Sequence, residues 1–322
     1  MRFLLPLLAA LSLAVTSAPT RAQEDEIVAN LAGGRVVIYV ARDAIIFGAI
    51  DHPLEAKSVP PRVAELGSSH IGIFFGASEW QVPAQPKPIR LDRDIPDVRP
   101  IGTPGYRAPD TSEADLETIG VNFLEKLRPL VSQLHHKIDL KPDEPLVEIV
   151  LIGYGPRDYG PEVWLVDYGA EQESVSATSD FWQTHILRAR FTQLYPPEKH
   201  QPKTIVEMRF PANLQVIPLT GLIQQNDPRI AQLRSSDARF AKVVEQIERG
   251  QANKSVSQDA ADFLRAALPV LAGDAHFIEG MMGEAGGFEW IVPPEEPVDK
   301  QQRAQDKDRP PDAPTLRRKP NP

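Results

Sequence analysis

Only two charged residues, Arg42-Asp43, separate the β-rich run Arg35-Val-Val-Ile-Tyr-Val-Ala41 from the run Ala44-Ile-Ile-Phe-Gly-Ala-Ile50. A link that short suits a tight hairpin, and it commits this part of the chain to antiparallel pairing. Ile71-Gly-Ile-Phe-Phe75 reads as a third strand. Leu146–Tyr154 and Glu162–Tyr168 form a second hairpin across Gly155–Gly160, Ile205–Phe210 is a further strand, and Gly287–Val292 closes the series. Between the hairpins, Thr111 or Ser112 can cap a helix. Its apolar residues Leu116, Ile119, Phe123, Leu124, Leu127, Leu130, Val131 and Leu134 recur at steps of three and four, with Pro129 expected to kink it. Pro228–Arg249 and Ser257–Leu271 also carry helical periodicity. Strands, one long helix, strands, helices and a last strand predict an α+β fold, a four-layer αββα sandwich of two antiparallel sheets.

The ends of the chain read differently. Arg2, an apolar run from Phe3 to Val15, and small residues at Thr20 and Ala22 make residues 1–22 a cleavable secretory signal peptide. The run is shorter than the ~20 apolar residues that span hydrocarbon, so no membrane span is expected after cleavage, and the mature chain is expected to be secreted or periplasmic. Cysteine is absent, which removes disulfides, thiolate metal sites and lipoprotein anchoring together. Acidic residues outnumber basic ones, 44 to 35, and an acidic surface repels phosphate backbones, so nucleic acid is not an expected partner. One domain is predicted over 23–292. Within it the Pro-, Arg- and Asp-rich stretch 81–110 reads as an irregular insertion, as does part of 180–203. Residues 293–322 lack the apolar side chains that would offset ordering, and disorder is predicted there.

Several local texts, taken in order, resemble the proteasome β-subunit branch of the Ntn-hydrolase superfamily. Gly34-Arg35 opens a strand where that family carries Gly and its catalytic Thr, and Asp51 ends Ile45-Ile-Phe-Gly-Ala-Ile-Asp51 at the family's spacing. Ser68–Ala77 looks like the family's third strand and glycine turn, and counting back from Gly76 puts Arg62 where the family has its catalytic Lys. The hairpin 147–167 and Gly286–Val292 look like the middle hairpin and closing strand, so the resemblance covers roughly 27–292. It implies the αββα sandwich and, in the family, amide or peptide hydrolysis. The departures concern the chemistry itself. An Ntn hydrolase needs a free α-amino group on Thr, Ser or Cys, whereas position 35 is Arg and none of those residues occurs from Gln23 to Ile50. Arg62 in place of Lys cannot act as a neutral base.

The resemblance therefore implies a degenerate cleft holding Arg35, Asp51 and Arg62, with Arg35 and Asp51 expected to meet as an ion pair. A non-catalytic role is expected, as an interaction or assembly module with a protein partner or with itself. The alternative is a hydrolase whose site has moved to Asp51, His52 and His70. Asp51-His52 with Glu55 otherwise reads as a polar strand end, and His135-His136 as helix-surface residues that point apart. No phosphate loop, Gly-x-Ser-x-Gly or His-Glu-x-x-His motif occurs, and no metal or cofactor is expected.

Overall fold

A computed structural model of the chain describes residues 27–52, 61–66, 70–83, 85–94, 116–138, 144–155, 160–175, 180–284 and 287–294. The predicted signal peptide, the part of 81–110 that follows Asp94, Glu55 and the tail beyond Pro294 lie outside these residues.

The elements run β1 (Val28–Ala32), β2 (Gly34–Val40), β3 (Ala44–Asp51), β4 (Arg62–Leu66), β5 (His70–Gln81), β6 (Ile89–Arg90), α1 (Leu91–Asp94) and α2 (Leu116–Val131). The next group is β7 (Val147–Tyr154), β8 (Pro161–Tyr168), β9 (Ala170–Ser174), β10 (Trp182–Ile186), β11 (Arg190–Tyr195) and β12 (Val206–Phe210). Helices α3 (Leu219–Gln224), α4 (Pro228–Ser236), α5 (Ala238–Glu248) and α6 (Ser257–Ala272) follow, then β13 (Phe277–Gly283) and β14 (Gly287–Val292). The fold is α+β with two large antiparallel sheets. The first has seven strands in the order β1-β5-β7-β8-β11, with β4 and β6 also on β5, and the second has five in the order β12-β2-β3-β13-β14. β9 and β10 pair separately.

Side-chain alternation along these strands divides the core into three clusters. Val37, Tyr39 and Ile46 of the second sheet pack with α3, α4, α5 and α6. Phe74, Ile149, Leu151 and Val166 of the first sheet pack with Ile119, Phe123 and Leu127 of α2. The opposite faces share the third cluster, in which Val36, Ile38, Val40, Ile45 and Phe47 meet Ile71, Ile73, Phe75, Val150 and Ile152. A strand buried on both faces has little room for polar residues, which is why β2 and β3 read as apolar runs apart from Arg35 near the start of β2 and Asp51 at the end of β3.

Helix α2 follows its predicted apolar spacing, with Pro129 in its last turn and the helix closing at Val131. The predicted helix 228–249 is two helices. Asp237 takes an extended conformation (φ −146°, ψ 129°) and accepts a hydrogen bond from the Arg239 N–H at 2.8 Å, so it ends α4 and caps α5. The stretch 180–203, expected to be partly irregular, carries β10 and β11. Among the described residues no helix is long and apolar enough to cross a membrane.

Candidate functional site

The family's cleft would lie where β2 begins and β3 ends, between the two sheets. The turn Arg42-Asp43 sets the register there. Ala41 donates to the Ala44 carbonyl, Arg35 falls opposite Ile50, and Gly34 falls opposite Asp51. Cross-strand partners share a face and successive residues alternate, so Arg35 and Asp51 emerge on opposite faces of the second sheet.

Arg35 points with Val37 and Tyr39 toward the helices and is 4% exposed. Its guanidinium donates Nη1–H to the Ile217 carbonyl at 2.9 Å, just before α3, and Nη2–H to the Leu271 carbonyl in the last turn of α6. The last carbonyls of a helix have no intrahelical donors and carry the negative end of the helix dipole, so a cation is favoured there. Burial lowers the Arg35 pKa and the Glu207 charge opposes that shift. Glu207 in turn accepts from the N–H groups of Leu219 and Thr220 at 2.7 and 3.0 Å, capping α3. Arg35 therefore ties β2 to the ends of two helices. The expected pairing with Asp51 does not form, and Asp51 Oδ1 is buried without a hydrogen-bond partner.

Arg62 shares a face with its cross-strand partner Phe74, on the α2 side of the first sheet. It meets Glu79 at 3.3 Å, and Glu79 also accepts from Asn30 Nδ2 at 3.0 Å, which joins β1, β4 and β5. Burial lowers its pKa most, Arg90 adds to this, and Asp92 and Glu79 oppose it. Arg35, Asp51 and Arg62 consequently occupy three different faces and make no common site.

The relocated site is not assembled either. His52 lies beyond β3, its Nε2 buried without a partner, and its pKa is lowered by burial and then by Arg35, against Asp51. His70 lies on the α2 side of the first sheet and meets Glu162 at 2.7 Å. Gly153 is the cross-strand partner of both, and its missing side chain lets them touch over the intervening strand. Glu162 also accepts from Trp164 Nε1 at 3.0 Å. Phe75, which packs beside Gly34, is five residues along β5 from His70, or about 17 Å at 3.3 Å per residue. His135 stacks on Phe181 with centroids 4.3 Å apart, while the His136 carbonyl accepts from Gln172 Nε2 at 3.0 Å.

No protein-family model matches the sequence, and none of the curated proteins matches it.

The space beside Gly34 is filled. Phe75 and Phe210 stack there at 6.3 Å between centroids, both buried, and Phe210 is the β12 partner of Gly34. On the same inter-sheet face lie two carboxylates that sequence reading missed, Glu148 on β7 and Asp167 on β8, directly opposite each other. Glu148 is 6% exposed, its Oε1 has no partner, and burial followed by the charge of Asp167 pushes its pKa up to about 8. Burial also raises Asp167, with Arg190 opposing at 3.9 Å. The signal was a single acid inside the apolar text Leu146-Val-Glu-Ile-Val-Leu-Ile152. Glu279 on β13 is a second buried acid, fully shielded and pushed up to about 8 by burial, with Arg265 partly opposing. Among the described residues no cluster of three or more metal-ligating side chains occurs. The inter-sheet face thus offers the Glu148 carboxyl, pushed up to about 8, beside Asp167 and packed rings, whereas Glu279, whose cross-strand partner Gly48 packs against Leu268 of α6, faces the helices.

Proposed function

We propose that this chain is an exported, proteasome-like Ntn-fold protein that has lost catalysis and acts as an interaction or assembly module. The αββα layering of that family is supported by the three core clusters taken in order: α2 on the first sheet, the first sheet on the second, the second sheet on α3–α6.

One observation carries the non-catalytic reading. The residues upstream of the nucleophile position are built into the fold: β1 pairs with β5 in the first sheet, Ile27 and Ala32 are buried, and the chain passes through Gly33 into β2 of the second sheet. An Ntn nucleophile works only with a free α-amino group, and freeing residue 35 here would cut away β1, a paired strand of the first sheet. Arg35 engaged with helix carbonyls and the Phe75–Phe210 plug point the same way. For the interaction role, the supporting feature is the α2 side of the molecule. There Val121, Val175 and Phe181 are 54%, 58% and 43% exposed.

The test is turnover. Mature protein beginning at Gln23 is expected to show no hydrolysis of a panel of peptide and amide substrates above that of Asp51→Asn. Hydrolysis that Asp51→Asn abolishes would overturn the reading.

A further inference from the structure

A small recess of about 240 Å³ opens where the edges of the two sheets meet, between β4 with α1 on one side and β14 on the other. Phe288 and Trp290 form its aromatic side, edge to face at 4.7 Å. Glu65 and Asp92 supply carboxylates opposite, with Val63 and Ala64 beside them. Asp92 is held by the Arg90 guanidinium at 2.6 Å. Glu65 is exposed and has no hydrogen-bond or ion-pair partner among the described residues. Aromatic faces beside a free carboxylate, in a space the size of one side chain, are the chemistry that takes an ammonium or guanidinium on an alkyl stem.

The covalent geometry names a source. β14, which carries Phe288 and Trp290, ends at Val292, and the chain leaves through Pro293-Pro294 into 295–322. In that segment Lys300, Arg303, Lys307 and Arg309 are interleaved with Asp299, Asp306, Asp308 and Asp312, whereas Arg317-Arg318-Lys319 stands clear of any acid. From Pro294 to Arg317 is 23 residues, enough chain to return to the recess, and a tether of this kind gives an effective concentration on the order of millimolar. We propose that the Arg317-Arg318-Lys319 segment docks in cis on this recess, placing one basic side chain against Trp290 and Glu65. The tail then covers the open edge of β14, whose outer backbone groups have no strand partner among the described residues. This inference does not depend on the Ntn reading.

The lack of native cysteine makes the test direct. Asn321→Cys in the full mature chain is labelled with a nitroxide, which quenches tryptophan fluorescence only near contact. Trp290-dependent quenching is expected, measured as the difference from the same labelled chain carrying Trp290→Phe. It should be unchanged on dilution, weakened by salt, and lost when Arg317, Arg318 and Lys319 are all replaced by Gln. Glu65→Gln is expected to reduce it by roughly two- to fivefold, the factor an exposed charge contact contributes. As a second readout with Trp290 intact, the label should broaden the amide signals of Val63 and Glu65. Absence of both effects overturns the proposal. So does quenching that rises with protein concentration, which would assign the recess to a second copy's tail, or quenching that survives the triple substitution.

Discussion

Replacing Glu148 by Gln should stabilise the protein, and by an amount that depends on pH. In the folded chain Glu148 faces Asp167 across the β7–β8 ladder and Phe75 on β5, and Arg190 lies 3.9 Å from Asp167. Burial and the Asp167 charge push its pKa up to about 8, whereas the unfolded chain has the ordinary value of 4.5. Below the ordinary value both states are protonated and the side chain is neutral to stability. As pH rises, the unfolded chain ionises first, so stability is lost progressively until pH passes about 8 and the folded form ionises too. At about 1.4 kcal/mol per pH unit, the loss is roughly 3 kcal/mol at pH 7 and between 4 and 5 kcal/mol beyond pH 8, less whatever the sheets recover by relaxing. Gln keeps the shape and removes the titration. Urea unfolding followed by tryptophan fluorescence should therefore show Glu148→Gln close to wild type at pH 4.5 and more stable by about 2–4 kcal/mol at pH 8. A difference that is the same at both pH values, or a Gln variant less stable at pH 8, would refute the buried-acid argument.

Four further outcomes are expected. Arg35→Ala should lose about 2–4 kcal/mol in urea unfolding because the Ile217 and Leu271 carbonyls lose a charged donor, and Arg35→Lys should recover little of this, since one ammonium does not reproduce the two-carbonyl fork. Combining Arg35→Ala with Asp51→Ala should give near-additive losses, because the two emerge on opposite faces; strong coupling would mean that the register of β2 and β3 is wrong. Asp237→Ala should cost about 1–2 kcal/mol in thermal or urea unfolding through loss of the α5 cap, and a neutral effect would argue for a continuous helix. Gly76→Ala should cost more than about 1 kcal/mol, since φ is +73° there and a methyl group would run into the Leu146 carbonyl; unchanged stability would contradict the turn geometry.

Much of the fold was legible because its strands are unusually explicit. The runs that became β2, β3, β7 and the first half of β5 are buried on both faces and so carry little but apolar residues. β1, β9 and β11 were not legible. Each has exposed or half-exposed positions filled by Asn30, Glu171 or Gln193, and β1 is held partly by the Asn30–Glu79 hydrogen bond, which no local pattern announces. The expected Arg35–Asp51 pair failed for a reason already contained in the chain. Spacing along a sequence counts residues, whereas a two-residue turn at Arg42-Asp43 fixes partners, and those partners put Arg35 with Ile50. Glu148 was visible as one acid in an apolar strand. Its partner Asp167 could be found only by pairing the hairpin residue by residue.

The central claim is that the segment ahead of Arg35 stays in the folded protein as strand β1, so that no amino-terminal nucleophile is ever produced. Intact-mass spectrometry with amino-terminal sequencing of the protein recovered after export tests this most directly. The expected product begins at Gln23 or at least ahead of Ile27, with β1 complete. A stable, folded product beginning at Arg35 or later would contradict the account, because β1 would then be a removable propeptide and not a strand of the first sheet.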